Sequence, residues 1–189
     1  MNRKRIGIVL AAALLCITWA AFATTASKTT KDLNRVVKTT VADGTERNAL
    51  LWVKPIPSQF ATRQWDEIAT FASGPKPIVD YYPDDVKELI AQALPEGAQP
   101  AALTLTEFIN LGIGQYQPSF DAVTGTLTFA TLFTADQTVV AVIGFPDENG
   151  ITAWQVLETK VVDGLLQIML PADLMLKVGH DAVLSILTA

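Results

Sequence analysis

Hydrophobic positions in the second half of the chain come in short runs separated by polar turn residues. Leu103 to Tyr116 opens by alternating at Leu103 and Leu105 and continues through Phe108, Ile109, Leu111 and Ile113, with Gly112 and Gly114 marking a bulge or a close backbone approach. Gly125 to Thr134 alternates at Leu127 and Phe129 and then carries Leu132 and Phe133, and Thr138 to Phe145 is dense in Val and Ile. A turn at Pro146-Asp147-Glu148-Asn149-Gly150 leads into Ile151 to Thr159, which holds Trp154, Val156 and Leu157. Asp163-Gly164 is a hairpin signal joining Lys160–Val162 to Leu165–Leu170. Pro171 to Leu174 reads as a helical corner, and Asp181 to Leu187 as a last strand. Strands recurring at this spacing, with polar turns between them, predict an antiparallel β-sandwich of immunoglobulin-like type over residues 101–189.

The periodicity changes upstream. Val86, Leu89, Ile90, Ala93 and Leu94 fall on one face of a helix that starts at Asp84-Asp85 after Pro83 and stops before Pro95-Glu96-Gly97. The two aspartates stand where side-chain oxygens accept from orphan N–H groups and where negative charge meets the positive end of the helix dipole. Trp65, Ile68 and Phe71 space a second, shorter helix over Ala61–Phe71. Ala49 to Val53 stops at Pro55 and Pro57, which suits an edge strand or an extended docking segment because proline donates nothing to a ladder. Residues 49–100 thus read as a small helical and irregular region, and residues 24–48, rich in Thr, Lys and Ala, as a linker.

The N-terminus carries an address. Arg3, Lys4 and Arg5 precede an uncharged run of 18 residues, Ile6 to Ala23, the grammar of an export signal. Ala21-Phe22-Ala23 offers signal peptidase a site before Thr24, and the run also has the length of a retained single-span anchor, so residues 1–23 read as either. Both readings place the rest of the chain outside the cytoplasm, secreted or tethered to the outer face of the membrane, with membrane contact through residues 6–23 if the segment stays. Cys16, the one cysteine, follows Leu15 rather than the small residue that lipid attachment needs, so no lipoprotein is expected. Between Thr24 and Arg63 there are seven Lys or Arg against three Asp or Glu, and between Gln64 and Ala189 four against sixteen. An acidic folded part lacks the basic patch that a nucleic-acid partner requires.

Candidate chemistry is sparse. His180 is the sole histidine, and no serine stands in a GxSxG sequence, which disfavours a Ser/His/Asp triad. One histidine and no cysteine beyond Cys16 cannot assemble a zinc site. Asp66-Glu67 and Asp84-Asp85 are carboxylate pairs of the kind glycosidases use, but each has a simpler role, on a solvated helix face and at a helix start. Asp147, Glu148 and Asn149 offer oxygens without the ordered spacing of a calcium loop. Gly112-Ile113-Gly114 lacks the later glycine of a phosphate loop, and no cofactor is expected. The aromatics remain. Tyr81 and Tyr82, between prolines, and Trp65 are the candidate binding residues, since tyrosine and tryptophan present rigid amphipathic surfaces; Trp154, among strand-like neighbours, reads as core.

The segments LPEG at Leu94–Gly97, LTLTEFINLGIGQY at Leu103–Tyr116 and AWQVLETKVVDG at Ala153–Gly164 resemble small exported proteins of uncharacterised families in Gram-positive, clostridia-like bacteria. The resemblance covers about the last half of the chain and implies an immunoglobulin-like fold and an extracytoplasmic address, with no activity attached. The expectation is a non-catalytic binding module for protein or carbohydrate outside the membrane. Its rivals are a carboxylate-dependent hydrolase and an anchored subunit of an envelope complex.

Overall fold

A computed structural model describes residues 37–47, 50–54, 56–114, 122–129, 132–150, 152–179 and 181–189. The expected export segment with Cys16, the cleavage point before Thr24, Tyr116, Ser119 and His180 lie outside these residues. No helix among the described residues is long and apolar enough to cross a membrane.

The protein is mainly β. Eight strands, β1 (Val37–Val41), β2 (Leu51–Val53), β3 (Thr104–Ile113), β4 (Ala122–Leu127), β5 (Val139–Pro146), β6 (Thr152–Val162), β7 (Leu165–Pro171) and β8 (Ala182–Thr188), form an antiparallel sheet in the order β1-β4-β7-β6-β5-β8-β3-β2. β5, β6 and β7 run as successive hairpins, and β8 returns through helix α3 (Ala172–Val178) to lie beside β5, the spatial pattern of a Greek key. The β6–β7 turn is Asp163-Gly164 with φ of 52° and 77°, the left-handed pair that a two-residue hairpin demands.

β6 is long enough to serve two partners. Thr152–Leu157 pairs with β5, and Glu158–Val162 pairs with β7. The sheet therefore folds over along β6 into two halves, β1-β4-β7 with the end of β6, and β5-β8-β3-β2 with its start. The terminal strands β1 and β2 approach each other on the far side. Between the halves lies the main core: Val123, Leu127, Leu166, Ile168 and Leu170 face Ile109, Leu111, Ile143, Leu184 and Ile186, while Leu174, Met175 and Val178 of α3 complete it.

The two halves differ on their other faces, and this explains their sequences. β7 alternates, with Leu166, Ile168 and Leu170 inward and Met169 39% exposed, as a strand with one wet face does. β8 is buried at all seven positions, because its second face is covered too. The cover is an insertion of two helices between the paired strands β2 and β3: α1 (Gln59–Ala72), a 3-10 turn at Ile78–Tyr81, α2 (Asp84–Ala93) and a short 3-10 turn at Pro100–Ala102. Ala61, Trp65, Ile68, Val79, Val86 and Ile90 of this layer pack on Phe108, Val140, Val142, Val183 and Leu187, a second core outside the sheet.

Both helices expected from the sequence form, but the buried stripe of α2 is narrower than its periodicity predicts: Val86 and Ile90 are buried, whereas Leu89 is 44% exposed. Ser58 caps α1, its hydroxyl oxygen accepting from Ala61 N–H at 3.0 Å. Asp84 and Asp85 occupy the first turn of α2, where Asp84 also pairs with Lys87 at 2.6 Å. The stretch read as linker contributes a strand: β1 pairs with β4 from Val37↔Leu127 to Val41↔Val123. The irregularity in β3 falls at Leu105/Glu107 rather than at its glycines. Gly112 instead allows a close approach, since a Cβ there would stand 2.3 Å from the ring of Trp52.

Candidate functional site

Trp154 sits in β6 directly opposite Gly144 of β5. A Cβ on Gly144 would lie 2.5 Å from the indole, so the missing side chain is what lets the ring lie down against the sheet. Its upper surroundings come from the inserted layer. Pro77 and Pro83 bracket the 3-10 turn, held by Asp80 N–H to Pro77 O at 3.0 Å and Tyr82 N–H to Val79 O at 3.2 Å. That turn delivers both tyrosines onto the indole: Tyr81 and Tyr82 meet Trp154 edge-on at 5.8 and 5.2 Å between centroids, and each other at 5.2 Å. Phe71, from the end of α1, meets Tyr81 at 5.8 Å. Each contact has the T-shaped geometry that ring quadrupoles favour, so the four rings form one rigid body.

An open groove of about 550 Å3 lies over this body. Arg63, Gln64 and Glu67 of α1 form one wall, Tyr81, Tyr82 and Pro83 its inner end, and Gly150, Thr152 and Trp154 of the β5–β6 hairpin the other wall. Arg63 reaches Gly150 O at 3.4 Å, a long contact across the mouth. Gln64 is buried and fixed at both ends of its amide: Nε2 donates to Glu67 Oε2 at 3.3 Å, and Oε1 accepts from the Tyr81 hydroxyl at 3.2 Å. Burial, and after it the negative charge of Glu67, pushes the Tyr81 phenol well above the ordinary tyrosine range. Tyr81 therefore stays a neutral hydroxyl at any physiological pH.

Tyr82 is 2% exposed and presents mainly its ring. Its hydroxyl points into the buried layer, where burial raises its pKa strongly and the Ser185 hydroxyl acts in the opposite sense. The contact is not a well-formed hydrogen bond, and both hydroxyls lack a geometric partner.

The third sequence-predicted residue goes elsewhere. Trp65 is 7% exposed, packs on Phe108 at 5.7 Å between centroids and does not line the groove. It is a core residue on the inner face of the helix whose outer face carries Arg63 and Glu67. Conversely Trp154, read from its neighbours as core, is half-buried and forms a wall. The sequence signal was the glycine facing it across the hairpin. Asp147, weighed as a cation ligand, accepts from Asn149 N–H at 2.9 Å and shapes the turn that ends in Gly150 at φ 74°.

A second polar cluster shares no residue with the groove. Asn110, fully buried on β3, donates through Nδ2 to Asp181 Oδ1 at 2.9 Å and to Ala182 O at 2.8 Å, and accepts at Oδ1 from Ser58 N–H at 3.0 Å. Lys54 Nζ reaches the same Asp181 Oδ1 at 2.9 Å. Among the described residues, no group of three His, Cys, Asp or Glu side chains is arranged to hold a metal ion.

Comparison with protein-family models, with curated proteins and with solved structures finds no match.

Proposed function

We propose that the chain is a non-catalytic binding module working outside the cytoplasm, and that its ligand lies in the groove between α1 and the β5–β6 hairpin. The observation carrying this reading is the groove itself: a rigid aromatic floor edged by a guanidinium, a carboxylate, an amide and a neutral phenol. Such a set suits an uncharged, hydroxyl-rich chain. Sugar hydroxyls both donate and accept, and Arg63, Glu67 and Tyr81 supply fixed partners of both kinds beside apolar ring edges. A glycan is favoured over a peptide because the opposed charges of Arg63 and Glu67 give the mouth no net sign.

Among the described residues Glu67 is the single carboxylate in the lining, whereas paired-carboxylate glycoside hydrolysis takes two. That supports binding over turnover. The extracytoplasmic address rests on the charge and length of residues 1–23. The finer fold reading, an immunoglobulin-like sandwich, rests on the two facing halves and the Greek-key return of β8.

Titration calorimetry with uncharged soluble oligosaccharides, alongside an oligosaccharide array, tests the reading. Saccharide binding by the wild type that weakens about tenfold or more, roughly 1.4 kcal/mol, in Arg63→Ala and Glu67→Ala is the expected result. Both side chains are exposed, but Glu67→Ala leaves the buried Gln64 Nε2 without its acceptor, so circular dichroism of each variant checks that the fold is retained. No saccharide bound, or binding unchanged in both variants, refutes it.

A further inference from the structure

Lys54 and Asn110 face each other across two neighbouring strands. Lys54 continues β2 by one residue beyond the pair Val53↔Leu111, and its N–H donates to Asn110 O at 2.9 Å. Cross-strand neighbours carry their side chains on one face with Cβ atoms about 5 Å apart. Here both side chains end on the same atom: Lys54 Nζ and Asn110 Nδ2 each stand 2.9 Å from Asp181 Oδ1. The two nitrogens can be no further apart than the sum of those distances. An amine, a carboxamide and a carboxylate touching both are the full set of groups needed to make an amide bond between side chains. We propose that Lys54 and Asn110 become joined by a self-generated isopeptide bond, with Asp181 carrying the proton.

The surroundings match the demands of each step. Asp181 takes a proton from the Lys54 ammonium, and the freed lone pair on Nζ attacks Cγ of Asn110. The electrons displaced from the carbonyl collect on Oδ1, which already accepts from Ser58 N–H at 3.0 Å, a donor aimed where negative charge develops. When the carbonyl re-forms, the Cγ–Nδ2 bond breaks. Nδ2, already donating to Asp181, receives the proton held there and departs as ammonium with both hydrogens that Nζ gives up. Asp181 ends as it began, nothing is oxidised or reduced, and no second reactant enters. Asn110 is fully buried while Lys54 and Asp181 keep 17% and 27% of their side-chain surface, so bulk water is held from the carbonyl while ammonium has a way out. The orientation of the amide is fixed, since its Nδ2 meets two acceptors and its Oδ1 a donor.

The product would tie β2, three residues long and at the end of the sheet, to β3 across the whole helical insertion. A chain whose one cysteine is Cys16 has no intrachain disulfide to do this.

Intact-mass measurement of the folded full chain decides the matter, with fragment spectra of its proteolytic peptides. The expected result is a mass lower by one ammonia than the sequence of the recovered chain requires, and a branched peptide linking Lys54 to Asn110. Lys54→Met and Asp181→Ala, each checked for folding by circular dichroism, are expected to restore the full mass. A folded wild-type chain of full mass overturns the proposal, as does loss of ammonia that persists in Lys54→Met. A merely structural ion pair leaves the mass untouched.

Discussion

Gly144 and Gly112 look alike in the sequence, each inside an apolar strand, and the structure predicts opposite fates for the same substitution at the two. In both, an alanine methyl would collide with a tryptophan directly across the strand pair, at 2.5 Å from Trp154 and 2.3 Å from Trp52. What differs is where the indole can go. Trp154 has both tyrosines against it and cannot lift without breaking the aromatic body. Trp52 is 42% exposed on the last strand of the sheet and can swing into solvent. Overpacking a confined site costs about 1–3 kcal/mol. Replacing glycine within a strand returns about 0.5–1 kcal/mol through lost backbone freedom in the unfolded chain. Gly144→Ala is therefore expected to destabilise by about 1–2 kcal/mol, and Gly112→Ala to fall within about 0.5 kcal/mol of wild type. Urea denaturation followed by far-ultraviolet circular dichroism gives both values. The near-ultraviolet spectrum should change in Gly144→Ala as the ring cluster rearranges. Adding Trp154→Leu should recover part of the loss, a coupling that two distant sites would not show. Equal costs at the two glycines, or no coupling with Trp154, would sink the reasoning.

Tyr82 and Ser185 bury hydroxyls without well-formed hydrogen bonds, so the double variant Tyr82→Phe/Ser185→Ala should match or exceed wild-type stability in the same urea titration; a large loss would mean the pair is bonded after all. Burial raises the pKa of Tyr81 and Tyr82 above the ordinary value of 10.0, so their contribution is complete below pH 10 and is lost as pH rises, because the unfolded chain ionises first. Phenolate absorbance should accordingly show two of the three tyrosines resisting ionisation above pH 10 until the chain unfolds; three ordinary titrations in a folded chain would contradict this. Ile68→Ala removes a fully buried side chain from the contact between α1 and the sheet and should cost about 2–5 kcal/mol by chemical denaturation.

The sequence made visible those elements whose burial has one period. α2 announces itself through Val86 and Ile90 on one face and two aspartates at its start, and β7 through Leu166, Ile168 and Leu170. β1 was hidden because VKTTV turns Thr39 inward beside its valines, so polarity reported nothing about burial; that threonine is fully buried, its hydroxyl bonded to Arg47 O. β5 and β8 read as strands, but their continuous apolar runs could not say what would cover the second face. The groove follows the same rule. Prolines around Tyr81 and Tyr82 flagged a rigid loop, a local signal. Trp154, Arg63 and Gly150 join it only through contacts between layers, the last two 87 positions apart in the chain, and no periodicity carries that information. Trp65 misled because an aromatic beside acidic neighbours looks exposed until the helix is oriented.

The helical layer leaves the sheet at the end of β2 and returns at the start of β3, two strands that are already partners. Topologically it is a cassette whose exchange breaks no strand pairing. What a replacement must bring is an apolar underside for Phe108, Val142 and Val183 and a donor for the buried Asn110 Oδ1 in place of Ser58 N–H. Because the cassette supplies one groove wall and the hairpin the other, exchanging it rewrites one wall of the groove and leaves the second in place, two surfaces of a single cleft that can change independently.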